Sequence, residues 1–339
     1  MNTNLHRIVN NLSEAQKLEL LTLLRNSLSV FVSNEVIVCP CCNESNFRKD
    51  GKYKAVQKYE CKSTGKVFTY KTNTVISGIS KINKLTELVN MLGEGDLPTL
   101  SKIKKQLGVS HQTAFDWRNK ILSALYSKPS LDNQIIEFDE FFHHLSRKGR
   151  QKMAYGRKRG SRRNTGDNKY TGKVFMAFSR STGKTDFYFS HLGRTKANDV
   201  ANYLGTNKEI VVYSDSHRSY SKFCDENGVG HSTFKAKEHI SQTEPSVHVQ
   251  TINAYAGKFK DMINHYHRGV STKYIQGYCN WFSFTSNEIR NGIKPNEKII
   301  ENKFALQIHK QKEKEFQYLL RNSGRTNFGD CKIKYKLVA

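Results

Sequence analysis

Two aspartates follow runs of apolar residues. Asp139 comes after Ile135, Ile136 and Phe138, and Asp215 directly follows Val211, Val212, Tyr213 and Ser214. Taken singly, each could be a turn cap or a surface charge. A carboxylate left at the end of an apolar strand is costly unless it is paired, hydrogen-bonded or bound to a cation. Two such carboxylates on neighbouring strands can share hard divalent cations, which take oxygen ligands. A pair of such metals activates a nucleophile and stabilises the leaving oxygen of an in-line phosphoryl displacement.

A third oxygen ligand belongs later in the chain. Asn253, in VHVQTINAYAGKFKDM, is the candidate, because an amide oxygen can coordinate a metal or orient its water. Lys260 follows seven residues on, two helical turns away and on the same face. An ammonium there can hold a phosphate or offset developing charge. Glu238, Glu244 and Glu288 are rival third ligands, and His217 and His231 are read as structural histidines close to the site.

A different chemistry is written into residues 35–80. Cys39 and Cys42 have the CxxC spacing of a zinc knuckle, and Cys61 stands where a second knuckle would begin. A zinc ribbon wants four ligands. The fourth position falls on Thr64, a poor zinc ligand, and Cys41 would substitute only if adjacent cysteines turned to one metal. Either Zn²⁺ is held by an incomplete set or the ribbon folds without it. Seven cysteines, three of them crowded into positions 39–42, make a poor disulfide framework and suit a reducing cytoplasm.

These residues need elements to position them. Residues 3–30 read as helix, with Ser13 and Gln16 as a capping box, so 1–34 forms an N-terminal helical segment. Cysteines, Gly51, Gly65 and short alternating stretches make 35–80 a small β module. Within the helical region 81–128, Thr99 caps one helix and Gly108 makes the turn. Ser110 caps a second helix, with Ala114, Trp117, Ile121 and Leu125 inward. His111, Gln112, Asp116 and Arg118 are expected to face outward, as a recognition helix would present them to DNA.

The Lys128-Pro129-Ser130 break separates this region from residues 129–290. There the order is three strands (134–142, 173–179, 185–190), a helix, a strand (209–213), a helix, a strand, and two longer helices over 247–266 and 272–290. That is the order of a ribonuclease-H-like α/β domain, a mixed sheet flanked by helices. Between its first two strands lies Ser146 to Tyr170, with ten Lys or Arg and one acidic residue. Such a segment cannot bury enough apolar surface to fold alone. It is read as a basic arm that orders on DNA through Arg157, Lys158, Arg159, Arg162 and Arg163. Residues 291–339 form a basic tail.

Composition agrees with a polyanion partner. Lys and Arg number 55 against 30 Asp and Glu, a formal charge of +25 in 339 residues. Neutralising phosphates releases counterions, so a surplus of this size favours nucleic acid. No run approaches the roughly 20 apolar residues that span a bilayer. The N-terminus lacks the continuous apolar core of a signal peptide.

Taken together, the segments CPCC…YECKSTGKVF, LGVSHQTAFDWRNKIL, IEFDEFF, VVYSDSHRSY and INAYAGKFKDMINHYHRGVSTKYIQGYCNWF resemble bacterial insertion-sequence transposases of the DDE superfamily. The group in question carries an N-terminal zinc ribbon and an ISXO-like catalytic domain, and the resemblance runs from about Val38 to Asn287. That group often replaces the third acidic residue by Asn, followed by a Lys. The resemblance implies Asp139, Asp215 and Asn253 as ligands of Mg²⁺ or Mn²⁺ and Lys260 as their basic companion. It also implies cleavage at terminal inverted repeats, strand transfer into target DNA, a cytoplasmic enzyme working at the nucleoid, and a homodimer or larger synaptic assembly. Competing readings are a catalytically inactive, transposase-derived DNA-binding regulator and a nuclease acting on RNA–DNA hybrids. The helical pair, suited to duplex grooves, argues against the last.

Overall fold

The computed structural model describes residues 38–53, 56–72, 76–93, 95–125, 135–146, 148, 171–235 and 241–290. Several expectations lie outside these residues: the helix over 3–30, the break at 128–130, Glu238 and the tail 291–339. So does the basic arm with Arg157, Lys158, Arg159, Arg162 and Arg163. The chain divides into two compact units, Met1–Thr72 and Asn73–Ala339.

The described part of the first unit is a three-stranded antiparallel sheet. Its strands are β1 (Phe47–Tyr53), β2 (Val56–Cys61) and β3 (Val67–Phe68), in the order β1-β2-β3. Phe47, Tyr59 and Phe68 meet with ring centroids 5.1–5.7 Å apart. With buried Cys39 and Cys61 they make up a small core.

The second unit begins with three helices, α1 (Ile82–Gly93), α2 (Leu100–Leu107) and α3 (His111–Ala124). Thr99 caps α2 by accepting the Lys102 amide, and Ser110 caps α3 by accepting the Thr113 amide. Gly108 closes α2 at φ 58°, a left-handed conformation that glycine adopts without a side-chain clash. Ala114, Trp117, Ile121 and Leu125 are buried, as their spacing requires.

Arg118 corrects the expectation for this helix: it is 3% exposed and points inward. It donates to the Pro98 carbonyl (3.0 Å) and to the Tyr278 hydroxyl (2.8 Å). The reason is helical phase. Arg118 lies four residues beyond Ala114 and so on the same buried stripe, and a neutral polar pocket receives its guanidinium. His111 and Gln112 are exposed.

A five-stranded mixed sheet follows, built from β4 (Ile135–His144), β5 (Thr171–Ser179), β6 (Thr185–Leu192), β7 (Val211–Asp215) and β8 (Gly230–Phe234). Their order in the sheet is β6-β5-β4-β7-β8. β4, β5 and β6 pair antiparallel, while β7 runs parallel to both β4 and β8. Helices α4 (Ala197–Leu204) and α5 (Arg218–Asn227) make the parallel crossovers. α6 (Gln250–Asp261), a π-helical turn at Met262–Tyr266, and α7 (Ile275–Arg290) complete the unit. The expected succession of strands and helices is therefore present, with ends shifted by a few residues.

Alternation along β4 sends its residues into two cores. Ile136 and Phe138 pack with Val200, Tyr203, Tyr220 and Phe223 of α4 and α5. On the other face Phe141 meets Phe259 of α6 (6.0 Å), which also packs on Phe187 of β6 and Phe282 of α7. α7 joins the sheet to the first three helices. Trp281 donates to the Leu92 carbonyl and Asn280 to the Leu122 carbonyl, both at 3.0 Å. At Gly277 a methyl group would lie 3.3 Å from Leu122, so the helices approach closely there. No helix among the described residues is long and apolar enough to cross a membrane.

Candidate active site

Glu137, Asp139 and Phe141 share one face of β4, the face covered by α6. The parallel pairing of β4 with β7 ends at Glu137 and Tyr213. Asp139 and Asp215 each lie two residues past that pair, so they stand at the same level on adjacent strands and on the same side of the sheet. Their charges interact. Burial first, then the Asp215 and Glu140 carboxylates, push the Asp139 carboxyl up to about 7, against the Glu140 amide and the Lys260 ammonium, which lower it. That amide donates to Asp139 Oδ1 at 2.7 Å. Asp215 Oδ1 accepts the His217 amide at 3.2 Å.

Lys260, near the C-terminal end of α6, reaches the same place. Its ammonium lies 5.2 Å from the ring centroid of Phe141, two residues along β4 from Asp139. Asn253 is exposed on the same flank of α6, two turns earlier. Among the described residues no hydrogen bond links its amide to either carboxylate, so the fold brings Asp139, Asp215 and Lys260 together and places Asn253 by its helix alone. Of the rivals, Glu244 accepts the Ser246 hydroxyl at 2.9 Å within its own loop. Glu288 stands on α7 beside Asn287, which bonds the backbone of Thr185. Both histidines have structural partners: His231 Nε2 meets Ser214 Oγ at 2.8 Å, and His217 caps α5.

Reading the sequence missed Glu137, Arg180 and Glu140. Glu137 is fully buried and accepts the Thr251 and Ile252 amides at the start of α6 (3.0 and 3.1 Å) and Arg180 Nε (2.8 Å). The signal was a second acidic residue in phase with Asp139 in an otherwise apolar strand. Glu140 faces the opposite side of the sheet, bound to Thr195 Oγ1 (2.5 Å) and Lys173 Nζ (3.4 Å). There, burial and the charges of Glu140, Asp139 and Asp215 hold the Tyr220 phenol well above its ordinary pKa.

In the first unit Cys39, Cys42 and Cys61 form a group whose sulfurs lie within 4.8 Å of one another and could hold a metal ion. Cys41 is exposed and outside the group, whereas Thr64 Oγ1 faces it, 3.9 Å from Cys39 Sγ. Burial pushes the Cys39 thiol up, but the Cys41 and Cys42 amides and the neighbouring thiols outweigh it and bring it down to about 6. The thiolate is the form that binds metal. Cys42 moves the other way: against the Glu44 amide, which lowers it, burial and the neighbouring Cys61 and Cys39 thiols push it up to about 11, so the group shares one readily ionised sulfur.

The arrangement is a mixed sheet flanked by helices in which Asp215 ends β7, whereas Asp139, expected near a strand end, lies midway along β4, which continues to His144 because it stays paired with β5. Residues 131–287, a little under half of the chain, match the ISXO2-like transposase domain. The chain is also similar to an uncharacterized protein in transposable element ISH50 of Halobacterium salinarum. The two are 23% identical over 270 residues, 78% of this chain and 89% of that protein. Two solved structures are distantly similar, each at 12% identity. One is a pre-cleavage Mos1 transpososome (TM-score 0.23, covering 64% of this chain and 77% of that one). The other is the Mos1 strand transfer complex (TM-score 0.26, covering 71% and 78%). Those scores are too low to bear on function.

Proposed function

We propose that the chain is a DDE-type transposase that cleaves DNA at insertion-sequence ends and joins them to target DNA, using a ribonuclease-H-like domain over 129–290. The observation that carries this reading is the level pairing of Asp139 and Asp215 on one face of the sheet, within the segment that matches a transposase domain. Two carboxylates brought level on adjacent strands suit divalent cations, which prefer hard oxygen ligands. Asp139, Asp215 and the amide oxygen of Asn253 would hold Mg²⁺ or Mn²⁺. Bound there, two such ions would supply activation of the attacking oxygen and stabilisation of the leaving one.

The chain's own residues do the rest. Lys260, beside Asp139, holds a phosphate oxygen of the DNA and offsets charge that develops on it. α2 and α3 act as a helix-turn-helix, with His111 and Gln112 at the exposed start of α3 reading a groove. Arg157, Lys158, Arg159, Arg162 and Arg163 of the arm contact phosphates. The cysteine group holds Zn²⁺, which adds stability to the small core that the described residues of the first unit form. Two ends must be brought together, so a homodimer or larger assembly carries out the reaction.

The test is cleavage and joining of labelled DNA bearing the inverted repeats that flank the gene, with Mg²⁺, Mn²⁺ or EDTA. Metal-dependent nicking at the repeat end, followed by joining, is expected. Asp139→Ala and Asp215→Ala should each abolish nicking while repeat binding survives. A variant that still cuts removes its residue from the site, and specific binding without any cleavage replaces the reading with that of a DNA-binding regulator.

A further inference from the structure

The residues that bond the start of α6 stand in a regular relation to the proposed metal ligands. Glu137 precedes Asp139 by two residues on β4. Its strand partner Tyr213 precedes Asp215 by two on β7. Thr251, whose amide Glu137 accepts, precedes Asn253 by two on α6. One cluster thus ties together the three segments that carry the three ligands, each at the same short distance along the chain.

Arg180, in the turn after β5, is the other half of the cluster. Nε donates to Glu137 Oε1 (2.8 Å). The two terminal nitrogens donate to the Ser246 carbonyl (2.7 Å) and the His248 carbonyl (3.0 Å) in the loop leading into α6. The guanidinium also lies 4.8 Å from the ring centroid of Tyr213 and 3.0 Å from His248 Nδ1. Its own amide is held by the Ile135 carbonyl at the start of β4. The Glu137 carboxylate, 0% exposed, is thereby met by one guanidinium and two helix amides. Both of its oxygens are engaged, and its charge faces the positive end of the helix dipole.

We propose that Glu137 and Arg180 are positioning residues. By clamping the first turn of α6 to β4 and β7, they set the place of Asn253 relative to Asp139 and Asp215. The clamp answers a need specific to this site. A neutral amide is attracted to a divalent cation less strongly than a carboxylate, so its contribution depends on being held in place beforehand. Partners one shell out from a metal commonly alter affinity or activity by about 10–100-fold when removed. The Asn253 side chain is itself exposed, so its place follows from how the first turn of α6 is held; the aromatic packing of α6 on the sheet lies further along, at Tyr255 and Phe259.

The inference rests on the metal-site reading above, and the experiment separates the two. Mn²⁺ binding to the full chain would be followed by the electron paramagnetic resonance signal of the free ion. The proteins would be the unaltered chain, Glu137→Gln, Asn253→Ala and the double variant, with amide hydrogen exchange measured over residues 250–257. Glutamine keeps the size of Glu137 but cannot accept from both Arg180 and the helix amides.

The expected result is faster exchange at Thr251 and Ile252, Mn²⁺ affinity lowered about 10–100-fold by Glu137→Gln, and no further loss when Asn253→Ala is added. Arg180→Lys, which keeps the charge but loses the fork to the two carbonyls, should show the same non-additivity. It serves as the test if Glu137→Gln fails to fold. Additive losses, or faster exchange with unchanged Mn²⁺ affinity, would overturn the clamp as a positioning device. Absence of Mn²⁺ binding by the unaltered chain would remove the metal site and the clamp's role with it. Mn²⁺ binding with the expected non-additivity, but no nicking of repeat DNA, would overturn the catalytic reading alone.

Discussion

Replacing Arg118 separates a residue that reads DNA from one that holds the protein together. Its guanidinium is buried, and its two bonds go to neutral groups, the Pro98 carbonyl and the Tyr278 hydroxyl. Hydrogen bonds from a charged donor contribute about 1.5–3 kcal/mol each, and a buried acceptor left without a donor costs about 1–3 kcal/mol. Against this stands the cost of keeping a cation out of water, which lowers the pKa of Arg118 and is recovered when the charge is removed. Arg118→Met preserves most of the packed volume, and the balance is a loss of roughly 2–4 kcal/mol. Tyr278→Phe removes one of the two bonds and should cost about 1–2 kcal/mol, with a coupling of about 1–2 kcal/mol between the two changes in a double-mutant cycle. Urea unfolding measures the stabilities. Fluorescence anisotropy with repeat and scrambled DNA, at a temperature where all variants are folded, measures recognition. The expected outcome is lower stability with an unchanged preference for repeat over scrambled sequence. An Arg118→Met protein of unaltered stability that has lost that preference would refute the burial argument and return the side chain to the DNA interface.

Other perturbations follow from the same geometry. Asp139 has its folded-state pKa raised from 3.8 to about 7, so its ionised form is disfavoured in the folded chain. Stability is therefore lost as pH rises from about 4 through 7, by up to ~4 kcal/mol less whatever partial exposure screens. Asp139→Asn should stabilise the chain in EDTA at pH 8 by more than at pH 5, and equal gains in urea melts at the two pH values would contradict this. His143 is buried on β4 with no hydrogen-bond partner for Nε2 among the described residues, and burial, then His144, lowers it to about 4. The sign is opposite: stability is lost as pH falls from 6.5 towards 4, by about 2 kcal/mol at pH 5. His143→Leu should narrow the gap in melting temperature between pH 7.5 and pH 5, and an unchanged gap counts against the assignment. Thr64→Cys should tighten Zn²⁺ binding at least about 10-fold, because it completes a four-thiolate set, whereas Cys41→Ser should leave it unaltered. A competition titration with a chromogenic chelator reads both, and a loss on Cys41→Ser would show that the fourth ligand is Cys41.

Much of the fold was legible because local periodicity carries it. The alternation in IIEFDEFFHH marks β4 and places Glu137, Asp139 and Phe141 on one face without any knowledge of what covers that face. Thr99, Gly108 and Ser110 announce the ends of α2 and α3 by their own chemistry. The π-helical turn at Met262–Tyr266 was not legible. It interrupts what reads as one continuous helical pattern over 247–266, and nothing in residue type marks the extra backbone residue.

For the candidate site, the sequence by itself determined which residue types could act as ligands, that Asp139 and Asp215 lie on apolar strands, and the two-turn spacing of Asn253 and Lys260. Only the tertiary structure decided which of these meet. Asp139 and Asp215 come level because β4 and β7 run parallel, and parallel register is set by the crossover helix and the core beneath it. Glu137 acquires its role from the α6 amides 114 and 115 residues away. Arg118 acquires its role from Tyr278, 160 residues on. In both cases the local pattern gives the direction of a side chain, while burying a charge is tolerated only if distant groups satisfy it. Those partners exist only once the chain has folded.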